Sequence, residues 1–175
     1  ATQIAAEIGS DVPFFLGGIA GVGLALATGR GEQIKMLAAQ PALDVIVTHP
    51  PVGCSTREVY LNYADCGEKR DFRKIVAACE AGQFKKIAAQ LFNTLQLPAA
   101  SLTNWIDQQL RLFAASGVSS ALMTGSGSSC FGLIDDPSCL ARVRSAALVS
   151  GLPRVYSARA WYGDSIEQQL SKQYG

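Results

Sequence analysis

The sequence predicts an α+β protein built on an antiparallel sheet, and three observations carry that reading. Apolar runs of strand length recur at 43–48, 120–123, 129–134 and 155–160. The first two are separated by a long stretch of helical spacing, broken repeatedly by turn residues. The middle two are separated only by Thr124-Gly125-Ser126-Gly127-Ser128, which is too short for a crossover and suits a hairpin. From residue 43 the order is therefore strand, helices, strand, strand, helix, strand. That order specifies a ferredoxin-like arrangement with an enlarged first helical crossover.

The elements follow in turn along the chain. Thr2 to Ile8 carries apolar residues at one-turn spacing and reads as a short helix ended by Gly9, which leaves it in a conformation closed to other residues. In Gly9-Ser10-Asp11-Val12-Pro13-Phe14-Phe15, Pro13 fixes its own φ and biases Val12 toward extended backbone, so Asp11 is held at a corner. Residues 18–27 and 32–37 read as two strands joined by the glycine turn at 29–31. Gln40-Pro41-Ala42 breaks the pattern, placing a domain boundary near 38–42. Leu43 to Thr48 reads as a buried strand of continuous apolar type. Helices are expected at roughly 55–63, 70–80, 83–92 and 99–115, with Ser55, Asp71 and Ser101 as N-caps. A helix over 138–150, with Pro137 suited to its first turn, leads to the last strand.

Composition narrows the function classes. With 49% hydrophobic residues in 175, the chain can bury a real core and form one domain, or one domain plus part of another. The formal charge is +1 and no lysine-arginine run occurs, which argues against a nucleic-acid partner or a membrane-surface helix. The chain shows neither an apolar stretch of membrane-spanning length nor a signal-peptide pattern, and a cytoplasmic location is the expectation. Five cysteines without any Cys-x-x-Cys pair argue against a disulfide framework or a zinc site, so reduced, structural thiols are expected and no metal-ligating residues are assigned. His49 is the sole histidine, at the end of an apolar run, where nothing favours a base over a strand-end residue.

Three places carry candidate chemistry, each with a structural alternative. Asp11 offers a fixed carboxylate, although Ser-Asp before proline is also ordinary turn and capping chemistry. Gly125-Ser126-Gly127-Ser128-Ser129 exposes backbone N–H groups as an anion nest does, although a hairpin turn needs the same glycines. It is neither a dinucleotide fingerprint nor a P-loop, since the third glycine, the following helix and the Gly-Lys-Ser/Thr end are missing. From Thr48 to Tyr60 a strand ends in a proline-stiffened loop and enters a capped helix, and on physics alone Tyr60 reads as core.

Gly9-Ser10-Asp11-Val12-Pro13-Phe14-Phe15, followed by Gly29-Arg30-Gly31-Glu32, resembles the corresponding segment of the GHMP kinase family. Gly125-Ser126-Gly127 leading to Cys130-Phe131 is similar to that family's C-terminal glycine motif, and the segment from Thr48 to Tyr60 to its strand, proline loop and helix. The resemblance implies ATP-dependent phosphorylation of the 2-hydroxyl of 4-diphosphocytidyl-2-C-methylerythritol in non-mevalonate isoprenoid synthesis. It implies Asp11 as catalytic base, Tyr60 stacked on cytosine, Thr56 as a loop contact, and Gly125, Ser126 and Gly127 facing substrate and phosphates. ATP and magnesium are the implied cofactors, and a cytidine diphosphate compound the small-molecule partner. The family's lysine-bearing first strand and its Gly-Leu-Gly-Gly-Gly-Ser-Ser phosphate loop do not occur here. The resemblance therefore implies the C-terminal portion of a longer kinase, inactive alone: residues 1–40 end an N-terminal domain and 41–175 form the C-terminal domain. Remnant strands at 19–37 would leave unpaired edges and favour self-association. Two rival readings stay open: another GHMP kinase acting on homoserine or a mevalonate derivative, and a stand-alone ferredoxin-like binding module.

Overall fold

The computed structural model describes residues 24–38, 41–64, 71–118 and 120–160, together with Ile4, Glu7, Ile8, Gly9, Val12 and Phe14. The chain divides into two compact units. One holds residues 1–42, 76–83 and 160–175, and the other 43–75 and 84–159.

In the first unit, β1 (Ala25–Thr28) pairs antiparallel with β2 (Gln33–Met36), with Thr28 opposite Gln33. In the turn between them the Glu32 carboxylate accepts the Arg30 N–H at 2.7 Å. Hydrogen bonds from the Glu32 and Arg30 backbone N–H groups hold that carboxyl below its usual range. Residues Ile4, Glu7 and Ile8 are helical, as the apolar spacing predicts. The corner differs from expectation. Val12 is helical rather than extended and donates its N–H to the Gly9 carbonyl at 3.1 Å. Gly9 lies outside the positive-φ region. A proline disfavours helical backbone in the residue before it but does not forbid it, and Val12 is helical here.

The second unit is a four-stranded antiparallel sheet in the order β4-β5-β3-β6, formed by β3 (Asp44–His49), β4 (Ser120–Met123), β5 (Cys130–Ile134) and β6 (Arg154–Arg159). This order places the first strand of the unit beside its third and fourth, the ferredoxin-like arrangement expected from the sequence. The crossover from β3 to β4 carries α1 (Thr56–Leu61), α2 (Phe72–Glu80), α3 (Phe84–Gln90), α4 (Gln96–Leu102) and α5 (Trp105–Ala115). The return to β6 is α6 (Ser138–Val149). Ile46 and Thr48 of β3 are fully buried, whereas Val45 and Val47 on the opposite face are half-buried, so the strand is not uniformly enclosed. The core unites Ile46 with Val59, Ile106, Phe113, Cys130 and Val143. Helix α5 covers β4 and β5 through a stripe at Ile106, Gln109, Leu112 and Phe113, and α6 buries Cys139, Val143 and Ala147 at one-turn spacing.

Ser55 caps α1 as expected, its hydroxyl accepting the Glu58 N–H at 3.4 Å, and the Asp71 carboxylate accepts the Arg73 N–H at 3.1 Å before α2. The expected single helix over 99–115 is instead two. Thr103 adopts extended backbone (φ −154°, ψ 141°), and its hydroxyl accepts the Trp105 N–H at 3.3 Å to start α5. Ser101 consequently lies inside α4, donating to the Pro98 carbonyl at 2.7 Å, and is not an N-cap. Pro98 is tolerated because it occupies the first turn of α4, where its missing N–H is not needed. Among the described residues no helix is long and apolar enough to cross a membrane, and Cys54, Cys79, Cys130 and Cys139 are free thiols.

Gly132 of β5 makes the seating of α5 on the sheet testable. A Cβ there would stand 2.5 Å from Val118 Cγ1 and 3.3 Å from Phe113 Cδ1. Gly132→Ala is expected to destabilise the chain by about 1–3 kcal/mol through overpacking, read as a lower denaturant midpoint at unchanged slope. An unchanged midpoint would mean that α5 is not seated on this strand.

Candidate active site at the glycine hairpin

β3 ends at His49 and the chain turns through Pro50 and Pro51 to the Ser55 cap of α1, while the β4–β5 hairpin delivers residues 124–129 to the same end of the sheet. Three hydrogen bonds join the two stretches. The Thr56 and Ser126 hydroxyls meet at 2.8 Å, the Ser128 hydroxyl donates to the Val52 carbonyl at 2.7 Å, and His49 Nδ1 and the Ser129 hydroxyl share a bond of 2.7 Å. The loop after β3 and the glycine hairpin therefore form one polar rim. His49 is a strand-end residue spent on holding the hairpin.

Within the hairpin the Thr124 N–H reaches the Ser129 carbonyl and the Gly127 N–H the Thr124 carbonyl, both at 3.0 Å. The N–H groups of Gly125 and Ser126 are not among the donors so used. Gly125 has φ +58° and Gly127 φ +87°. Gly125 and Gly127 thus have the positive φ that the hairpin reading of the sequence requires.

Side-chain amides hold the hairpin from outside the rim. Asn93 donates to the Met123 and Gly125 carbonyls at 2.9 and 2.8 Å, and Gln96 Oε1 accepts the Met123 N–H at 2.9 Å. These bonds occupy the edge of β4, the outermost strand of its side of the sheet. The other arm rests on Gln109. Its Nε2 donates to the Ser128 carbonyl at 2.7 Å and to the Trp105 carbonyl at 3.0 Å, and its Oε1 accepts the buried Thr48 hydroxyl at 2.7 Å. None of these three amides was singled out from the sequence. For Gln109 a signal existed, because it stands at a stripe position of α5 that otherwise takes apolar residues.

Tyr60 is 60% exposed, whereas its neighbour Val59 is fully buried, which overturns the reading of Tyr60 as core. The capped start of α1 turns Val59 inward and leaves Thr56 and Tyr60, four residues apart, on one outward face. Thr56, Ser126, Gly125 and Gly127 are thus brought together at the rim, with Tyr60 one helical turn along from Thr56. Asp11 lies outside the described residues. Burial pushes the Cys130 thiol up to about 12 and also raises Cys54, so neither thiol is a nucleophile poised at this rim. Among the described residues no cluster of His, Cys, Asp and Glu side chains gathers as a metal site.

Comparison with known proteins bears on this geometry. Residues 75–149 match the family model described as GHMP kinases C terminal. The chain is 37% identical over 158 residues to 4-diphosphocytidyl-2-C-methyl-D-erythritol kinase of Bacillus pumilus, an alignment covering 90% of this chain and 53% of that protein. It is 41% identical over 145 residues to the protein of the same name from Shouchella clausii, covering 80% and 46%. The chain thus spans about half the length of these curated relatives. Its fold matches a crystal structure of 4-(cytidine 5'-diphospho)-2C-methyl-D-erythritol kinase with a TM-score of 0.73 at 29% identity, over 93% of this chain and 57% of that one. Homoserine kinase from Cytophaga hutchinsonii shares the fold at a TM-score of 0.63 and 14% identity, over 81% and 49%.

The two loop glycines differ in what an alanine would cost. At Gly125 an added Cβ enters open space, whereas at Gly127 it would stand 2.7 Å from the Sδ of buried Met123. Gly125→Ala is expected to lower stability by about 1 kcal/mol and Gly127→Ala by about 2–4 kcal/mol, measured by urea unfolding. Equal losses would contradict the described loop backbone.

Proposed function

We propose that this chain belongs to the GHMP kinases, whose C-terminal family model its residues 75–149 match, and that it serves in the ATP-dependent phosphorylation of the 2-hydroxyl of 4-diphosphocytidyl-2-C-methyl-D-erythritol, a step of non-mevalonate isoprenoid biosynthesis. The observation that carries this reading is the hydroxyl contact of Thr56 with Ser126, which makes the start of the Tyr60 helix and the glycine hairpin one surface.

In the proposed reaction the substrate 2-oxygen attacks the γ-phosphorus of ATP, the bond from that phosphorus to the bridging oxygen breaks, and ADP leaves. The hydroxyl proton passes to the Asp11 carboxylate, which also directs the nucleophile. Such a transfer asks mainly for position and for stabilisation of charge on the transferring oxygens. Gly125, Ser126 and Gly127 line the nest that faces these phosphates, their backbone dipoles fixed before any ligand arrives. Tyr60 supplies an exposed aromatic face for the cytosine ring, and Thr56 holds the loop against Ser126 beside it. Magnesium, when bound with ATP, neutralises phosphate charge; no described residue is assigned to it.

The test uses the intact protein, with transfer to the cytidine substrate followed by coupled release of ADP. Tyr60→Ala is expected to raise KM for that substrate about fivefold or more while KM for ATP stays within about twofold, because stacking on one base is worth ~1–3 kcal/mol. Asp11→Asn is expected to lower kcat by about 10²–10⁴ with substrate binding nearly intact. Turnover of homoserine or a mevalonate derivative in place of the cytidine compound, or a Tyr60→Ala enzyme with unchanged KM, would overturn the assignment.

A further inference from the structure

We propose that Gln109 is a positioning residue for the reaction, acting through the glycine hairpin it braces; the proposal rests on the kinase reading above and deepens it. The side chain is fully buried in the middle of the apolar face of α5. A polar group there costs stability unless its donor nitrogen and its acceptor oxygen are both engaged. Three bonds meet that requirement, and each ends on a different element: the Thr48 hydroxyl on β3, the Trp105 carbonyl on α5, and the Ser128 carbonyl in the hairpin.

A leucine would satisfy the same stripe and fill the same face, so packing alone does not call for an amide. What an apolar side chain cannot do is hold the Ser128 carbonyl. That carbonyl faces inward from the arm of the hairpin whose Ser128 and Ser129 hydroxyls reach Val52 and His49. The Gln109 amide thus fixes the arm from the core side while those hydroxyls fix it from the rim. Between the two sets of bonds the N–H groups of Gly125 and Ser126 are held at one orientation. Hydrogen-bond donors that await a developing charge act through orientation, and a small misplacement is felt in turnover before it is felt in substrate binding. Gln109 touches neither substrate nor phosphate in this account.

Two variants of the intact protein test this. Gln109→Met keeps the length of the side chain and removes its bonds. Thr48→Val combined with Gln109→Met also removes the Thr48 hydroxyl, a replacement that recovers the part of the lost stability due to that hydroxyl while the Ser128 carbonyl stays without its side-chain partner. Positioning predicts that kcat falls at least tenfold in both variants, that KM for both substrates stays within about twofold, and that kcat does not recover when the unfolding midpoint does. It also predicts at least tenfold faster hydrogen exchange of the Gly127 amide in both, with the amides of β3 and β5 unchanged in the double variant. Recovery of kcat together with stability in the double variant, or unchanged exchange at Gly127, would reduce Gln109 to a structural residue and overturn the proposal. Should the unaltered protein transfer no phosphoryl group to the cytidine substrate, the kinase reading fails by itself, and the exchange result still decides whether Gln109 holds the hairpin.

Discussion

The buried amide of Gln109 is the point on which β3, α5 and the glycine hairpin all depend. A hairpin turn with two positive-φ glycines has little stiffness of its own, since glycine gives up more conformational freedom on ordering than any other residue. Its geometry must be set by what surrounds it. Here it is set by side chains from the crossover helices and by the end of β3, and only secondarily by the two bonds inside the turn. The long crossover thereby has a use beyond spanning the sheet. It supplies α5, whose stripe covers β4 and β5, and it supplies Asn93 before α4 and Gln96 at the start of α4, which occupy the edge of β4 at Met123.

Much of this architecture was legible in the sequence. The strands at 120–123 and 130–134 followed from two short apolar runs around a glycine-rich turn, and the order of elements predicted the ferredoxin-like sheet that the structure shows. Local chemistry sufficed where it acts over three or four residues, as at the Ser55 cap. It failed where the deciding contact was remote or weakly marked. Thr103 ends α4 by turning extended, although neither it nor Asn104 is a strong helix breaker, and the sequence therefore read as one helix. Tyr60 read as core because aromatic residues in an apolar context usually are, yet adjacent Val59 takes the inward position on α1. The partners of Gln109 lie up to 61 residues away, and no local pattern names them.

The chemistry proposed for the site follows from the same economy. The Cys54 and Cys130 thiols near the rim are held protonated by burial. What the rim offers is fixed backbone N–H groups, two hydroxyls in contact and an exposed aromatic ring. These groups suit a reaction in which the protein orients phosphates and a base while an external nucleophile does the bond making. In the proposed reaction the contact between Thr56 and Ser126 joins the part that would take the base to the part that would meet the phosphates.

The central claim is that the glycine hairpin is rigid before any ligand binds, and backbone ¹⁵N relaxation of the ligand-free chain tests it most directly. Order parameters for Gly125, Ser126 and Gly127 near the value of about 0.85 typical of sheet backbone are the predicted result. Values below about 0.6 in those residues, with β3 and β5 remaining ordered, would contradict it and assign the ordering of the hairpin to the ligand instead.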